Sequence, residues 1–440
     1  MKKRLIGLAC CVASTALAQV GGGYLGPAVL SSGATGIGTR SGQAVDLRFY
    51  AGVNGVYDSS IQPVALNANG TLTTINGLYG VEASVGLYGT HAWHTALLGI
   101  DYQGIFREYN GNSPYDGIDQ FLTLGYTWQE SRRMVIKAQV LAGTLSDGLG
   151  IGVVPDVSSN IVATPTTLLF DNRSYYLQGN LDLTYIESAR TSFTFGGGGY
   201  EVWRQSAALV GVEGYNARGT VEHKLSKNTS IGFTYQRQHF SFPKVFGQAD
   251  IDTGEIFVGT NIGRHWQLTV RGGVFHSEVS GLQEVQLNPV IAALLGQTAT
   301  IQSFYRADYY PSGQATLTRR FKQASMNIFY GQTVSPGNGV YLTSKAQNGG
   351  AGYSYTGIRK VNLSISGGYS NLTAIGQQIA PYRTGFAGAG FTYSLPKSLH
   401  FVSRYDYRYQ EIESLTYKHT GYRVTVGLSF SPGNVPLSLW

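Results

Sequence analysis

Stretches that alternate strictly between apolar and polar residues recur along this whole chain, and they limit its fold more than any other feature. From Val45, the residues Val45, Leu47, Phe49, Ala51 and Val53 fall on one side, while Asp46, Arg48, Tyr50 and Asn54 fall on the other. Tyr175, Leu177, Leu181, Leu183 and Tyr185 alternate in the same way with Gln178, Asn180, Asp182 and Thr184. Successive side chains of an extended strand point to opposite faces, so each stretch predicts a strand with one oily face and one wet face. No stretch of 18 or more apolar residues offers a spanning helix. Only 13% of the residues are charged, against roughly 25% in an ordinary soluble protein. A protein whose outer surface meets lipid needs few charges. Strands can cross lipid only as a closed barrel, because hydrocarbon offers no partner for backbone N–H and C=O groups.

The connections separate a membrane barrel from a soluble sandwich, which also alternates. Tight turns are expected near His91, Ser131, Ser188, Lys227, Arg264, Arg320, Ile358 and Lys397. Longer polar loops are expected at 58–77, 108–117, 146–173, 204–212, 242–249, 278–306, 334–344, 372–381 and 411–418. Short turns on one side and long loops on the other are the layout of bacterial barrels. The count is 18 antiparallel up-and-down strands of about 12 residues each, with 16 as the alternative. Trp93, Trp128 and Trp266 sit beside short turns, with Tyr126, Tyr185, Phe193, Phe233, Tyr393 and Phe401 near the same level. Amphipathic rings prefer the headgroup zone, so these predict an aromatic girdle on the short-turn side.

The chain divides into four parts. Residues 1–18 read as a signal peptide: Lys2, Lys3 and Arg4, an apolar stretch from Leu5 to Leu17, and an Ala16-Leu17-Ala18 site. A lipoprotein reading through Cys10 or Cys11 is weaker, since too little apolar sequence precedes them. Those are the only cysteines, which excludes a disulfide framework and a cysteine metal site from the mature chain. Residues 19–44, rich in Gly, Ser and Thr, are expected to be a flexible periplasmic lead-in, too short for a plug domain. Residues 45–430 form the barrel, and 431–440, with Pro432 and Pro436, a short periplasmic tail. The formal charge of +7 includes three leader bases and leaves +4, which gives no reason to expect nucleic acid.

A search for chemistry finds no catalytic, cofactor-binding or metal-binding set, so no enzyme is expected. The eight His are scattered, and His91 and His94 are spaced to opposite faces of a strand. Neither G-x-S-x-G nor H-E-x-x-H occurs, and Gly196 to Gly199 read as a thin spot in a strand, since no helix follows. The lumen-side charges are more informative. Asp46, Glu82, Asp101, Asp182, Glu222, Glu255 and Asp406 are interspersed with Arg48, Arg107, Lys137, Arg218, Lys224, Arg271, Arg404, Arg408 and Arg423. A dry interior would make these charges costly, whereas a water-filled lumen of about 18 strands would not. Arg48, Arg404, Arg408 and Arg423 lie on the first and last two strands, which adjoin once the barrel closes. They are expected to form a basic patch on the lumen wall, open to pairing with Asp46 and Asp406.

The closing strand, Tyr422-Arg-Val-Thr-Val-Gly-Leu-Ser-Phe430, resembles the C-terminal assembly signal of outer-membrane proteins, an amphipathic last strand ending in an aromatic residue. The resemblance implies recognition by the barrel-assembly machinery through Tyr422 and Phe430. Here ten residues follow the aromatic, whereas such proteins usually end on it. In strand count and loop rhythm the mature chain is similar to the porin class, and no residue motif selects one family. The resemblance implies an outer-membrane, porin-like channel in a Gram-negative-type bacterium, surrounded by outer-membrane lipid and passing small hydrophilic solutes. It further implies that loop 146–173, between strands 5 and 6, folds inward and narrows the pore, with Asp147, Asp156 and Asp171 as constriction acids. The alternative is a non-channel barrel with an adhesive or structural role carried by surface loops, which apolar loop sequence such as Asn288 to Gly296 would favour.

Overall fold

The computed structural model describes residues 45–59, 65–66, 72–73, 77–110, 116–145, 173–205, 209–286, 299–337, 339–413 and 417–430. The expected leader, lead-in and tail lie outside these, as does most of loop 146–173. Eighteen antiparallel strands form the wall: β1 (Val45–Asp58), β2 (Leu78–Ala92), β3 (Ala96–Tyr109), β4 (Gly117–Gln129), β5 (Met134–Leu145), β6 (Ser174–Ile186), β7 (Thr191–Arg204), β8 (Val212–Lys224), β9 (Thr229–Phe242), β10 (Gly247–Ile262), β11 (Trp266–Gln286), β12 (Ala299–Arg320), β13 (Ala324–Ser335), β14 (Ser344–Ile358), β15 (Val361–Ala374), β16 (Tyr382–Ser394), β17 (Leu399–Ile412) and β18 (Tyr417–Phe430). Each pairs with its neighbours in the chain, and β1 closes the ring by pairing with both β2 and β18. The closing register sets Ala51 opposite Phe430 and Asp58 opposite Arg423. The strand count of 18 is therefore correct, and no free edge remains around the wall.

Alternation decides which face is which. In β1, Phe49, Ala51, Val53 and Gly55 are exposed outside, while Tyr50, Gly52, Asn54, Val56 and Asp58 are buried inside. The outward residues of the other strands are likewise large and apolar, including Leu181, Phe195, Ile256 and Ile365. Such a belt is stable only against hydrocarbon. All nine aromatics expected in the girdle point outward near the short turns. A second ring crosses the closure on the long-loop side, where Tyr57 lies 5.0 Å from Tyr79 and 5.5 Å from Tyr422.

Three of the short turns share a local cause. Ser131, Ser188 and Ser226 each accept backbone N–H bonds on Oγ from the residues two and three positions later, at 3.0–3.2 Å. A serine hydroxyl that mimics a backbone acceptor reverses the chain within four residues.

Two expected loops are shorter than predicted. Residues 278–286 and 299–306 extend β11 and β12 into a ribbon of 21 and 22 residues, paired as far as Gln286 opposite Ala299. The ribbon rises above the wall, because β12 pairs with β13 only from Gly313 to Arg320. Both its faces carry Ser, Gln, Tyr and charged residues, so the apolar–polar contrast that marks a strand is missing there. The connection at 242–249 shrinks to a single 3-10 turn at Pro243–Val245 followed by Phe246 in a left-handed conformation.

Candidate functional site

The inward face of the barrel is the candidate site, and its most distinctive feature is a row of buried ions crossing the closure. Glu82 on β2 accepts from Arg423 Nη2 on β18 at 2.5 Å, from Arg107 Nε on β3 at 2.8 Å and from the Tyr109 hydroxyl at 3.3 Å. Arg423 Nη1 lies 3.8 Å from Asp58 on β1, and Arg107 Nη1 pairs with Asp119 on β4. The row thus spans β18, β1, β2, β3 and β4, and none of these charged side chains is more than 4% exposed. Charges this dry persist only when paired and hydrogen-bonded. Arg408 on β17 is also buried, with its backbone opposite Gly421, two residues from Arg423. Arg107 and Arg423 are thus shared among the three acids Asp58, Glu82 and Asp119.

On the far side of the mouth the lumen is packed with apolar residues. Ile105, Phe121, Leu141, Tyr176, Phe240 and Phe275 belong to one buried cluster that also takes in Ile375 from the β15–β16 connection. The β13–β14 connection, 336–343, folds inward to meet the β7–β8 connection six strands away. The Val210 N–H donates to the Gly339 carbonyl at 3.0 Å. Arg204 Nε donates to the Val210 carbonyl at 3.0 Å and its Nη1 to Ser174 Oγ at 3.2 Å. Gly339 has φ +95°, and a Cβ there would sit 2.6 Å from Arg204 Nε, so this crossing requires glycine. The β15–β16 connection braces it. Gln377 Oε1 accepts from the Leu342 N–H at 2.8 Å, and the Tyr341 hydroxyl donates to the Ala380 carbonyl at 2.6 Å. Burial pushes the Tyr341 phenol up to about 12, which keeps that donor protonated at physiological pH.

Toward the short turns the lumen is polar and part-exposed. Arg404 Nε and Nη2 chelate Asp406 at 2.6–2.9 Å, and Arg218 Nη2 holds both oxygens of Asp182 at 2.6 and 2.7 Å. Hydroxyl pairs line the same wall, such as Thr184 with Thr194 and Thr220 with Thr234. The two ion pairs remain 18–21% exposed, a setting where water shares the work of solvating them.

Of the four arginines expected to cluster, Arg404, Arg408 and Arg423 share one face of adjoining strands. Arg48 does not join them. It lies opposite Tyr88, ten residues down β1 from Asp58, or about 33 Å of strand. Arg423 and Arg404 are bound to carboxylates. Asp147, Asp156 and Asp171 lie outside the described residues. Phe430 faces outward beside Phe49, 6.0 Å between rings, and Tyr422 lies toward the opposite end of the same strand against Tyr57 and Tyr405. Sequence reasoning missed Asp58, Asp119 and Arg204; strand parity alone could have put all three on the lumen face. Among the described residues no group of three or more His, Cys, Asp or Glu is placed to hold a metal ion.

No protein-family model matches this chain, and neither does any curated protein. Solved structures that resemble it include a BenF-like porin from Pseudomonas fluorescens Pf-5, with TM-score 0.43, 9% identity, and 88% of this chain and 99% of that one covered. Others are Pseudomonas aeruginosa OccK9 (OpdG), with TM-score 0.41, 14% identity and coverage of 88% and 99%, and Acinetobacter baumannii OccAB4, with TM-score 0.42, 9% identity and coverage of 89% and 99%. At these values the likeness is one of general architecture, and the chain itself is a closed 18-stranded transmembrane β-barrel resembling the porin class.

Proposed function

We propose that this chain is an outer-membrane channel of a Gram-negative-type bacterium that passes small hydrophilic solutes by diffusion. The observation that carries the reading is the contrast between the two faces of one wall. Outside are residues that only lipid can cover; inside are part-exposed ion pairs and hydroxyls that only water or a polar solute can complement. In this reading the inward 336–343 connection and the ionic row narrow the path, and loop 146–173 with Asp147, Asp156 and Asp171 adds to the constriction. The barrel-assembly machinery would read the closing strand through Tyr422 and Phe430. Reconstituted in a planar bilayer, the protein should give discrete conductance steps, and liposomes carrying it should swell in isosmotic solutions of small solutes. Absence of both would remove the channel.

A second reading draws on the packed mouth. The buried cluster around Phe240 and Phe275 suits a permanently closed barrel whose surface loops carry an adhesive or structural role. That barrel would be silent in both assays while still folding in lipid.

A further inference from the structure

We propose that the short-turn rim of the barrel is a docking surface for anionic phospholipid headgroups, an inference that rests on the outer-membrane placement above and is independent of conduction. Seven of the eight short turns carry exposed Lys or Arg. Three carry two each: Arg132 with Arg133, Arg320 with Lys322, and Arg359 with Lys360. The turns after β6, β8, β10 and β16 carry one each, and the β2–β3 turn carries none. Against these ten cations stand two exposed acids, Glu130 and Glu187. The rim therefore has a surplus of eight positive charges, more than the formal +7 of the whole chain. Among the described residues none of the ten is paired with a carboxylate. The long-loop end is built differently, with charges mixed and matched. There Arg237 lies 3.6 Å from Asp250 and 3.9 Å from Asp252, and Arg383 Nη2 donates to Glu413 at 3.1 Å.

Two further observations go beyond the count. Lys360 and Lys397 sit at φ +67° and +60°, in the left-handed region that favours glycine or asparagine. A lysine there costs backbone energy that glycine would spare, so turn formation does not account for either side chain. Arg319 stands opposite Trp266 on the lipid-facing side of the wall. Its guanidinium lies 4.5 Å over the Trp266 ring and 4.2 Å over the Phe321 ring. In the aromatic girdle such a stem lies along hydrocarbon while its head reaches the headgroup level.

The geometry selects a lipid as the partner. The cations run round the wall just past the girdle, where a ring of headgroups surrounds the barrel. A polymer or a protein would meet one arc of such a ring and leave the rest unmatched. Arg319 faces lipid directly, and a planar guanidinium matches two oxygens of a phosphodiester. A headgroup that bears its own ammonium would bring a like charge to the rim, whereas one with net negative charge would not. Basic residues beside an anionic leaflet add their attractions, so ten of them make the preference readable.

The test uses the full barrel in vesicles, with Trp203→Phe and Trp440→Phe so that Trp93, Trp128 and Trp266 beside the short turns report. Their fluorescence is read in mixtures of phosphatidylcholine and phosphatidylglycerol of which one is brominated and quenches. Phosphatidylglycerol should be favoured at the rim at least threefold at low salt. The preference should shrink toward one as salt rises, since screening acts over roughly 10 Å at 0.1 M. Arg319→Met with Arg359→Gln should remove at least half of it. Lys360→Gly with Lys397→Gly should also lower it without loss of thermal stability, a combination that a purely structural role would not produce. If Arg319→Met fails to assemble, the glycine pair carries the variant arm. A barrel with no preference overturns the proposal, and so does a preference that both variant pairs keep or that high salt leaves intact. Binding to isolated peptidoglycan that these variants abolish, with no lipid preference, would assign the rim to a polymer and overturn the lipid. Cleavage of the short turns from outside intact cells would overturn the placement of the rim while the vesicle result stands.

Discussion

Removing the Glu82 carboxylate should cost far more than removing a part-exposed lumen acid such as Asp406. Glu82 is 1% exposed and joins Arg423 at 2.5 Å to Arg107 at 2.8 Å. Taking one partner out of a buried ion pair costs about 3–5 kcal/mol, because the remaining charge stays in a dry site. Here Arg107 keeps Asp119 and Arg423 keeps Asp58, so Glu82→Ala should fall near the lower bound, about 3 kcal/mol. Asp406→Ala provides the contrast, because its pair with Arg404 is 18% exposed on both sides. Water can take over there, and the loss should be about 1 kcal/mol or less. Urea unfolding of the vesicle-inserted barrel measures both as a change in midpoint at constant slope. A double-mutant cycle with Arg423→Met isolates the pair itself. Equal losses in the two variants, or a Glu82→Ala loss below about 1 kcal/mol, would show that water reaches the row and that its burial does not set its energy.

Four further outcomes are expected. Phe430→Ala should slow assembly into membranes, measured as folded fraction against time, while deletion of Asn434 to Trp440 should matter less. Leu181 faces outward near mid-strand, so Leu181→Arg should cost about 2–4 kcal/mol against lipid, whereas Asn180→Arg, on the lumen face, should cost less. Gly339→Val places a branched side chain against Arg204 at a left-handed φ, so the 336–343 crossing should loosen and single-channel conductance rise. Surface proteolysis of intact cells should cut loop 146–173 and the 287–298 connection at the tip of the ribbon and spare the turns at Lys227 and Lys397; cleavage at those turns instead would invert the topology.

The wall was legible in the sequence because lipid imposes a rule on every residue of a strand. A single polar residue out of phase would face hydrocarbon, so alternation is kept across β1, β6 and β18, and parity alone sorts inside from outside. Where lipid stops, the rule stops. The upper parts of β11 and β12 rise above the membrane with polar residues on both faces, and sequence reading took them for a loop. Phe242 to Gly247 carried turn residues enough for a long loop, and Phe246 in a left-handed conformation reverses the chain in four.

The site was legible only as a set of inward residues, because its pairs are made by closure and by reach. Arg423 meets Glu82 across 341 residues of sequence, and that contact exists only because β18 hydrogen-bonds to β1. Placing Arg48 beside Arg423 required the right neighbours, which sequence supplied, and the right height, which it did not. Height follows from the stagger between first and last strands, and the register that sets Ala51 opposite Phe430 leaves Arg48 beyond the end of β18. The same stagger brings Asp58 level with Arg423, so the arginine expected to add to a basic field meets an acid instead. A wall assembled this way carries many charges and little net charge where it is driest.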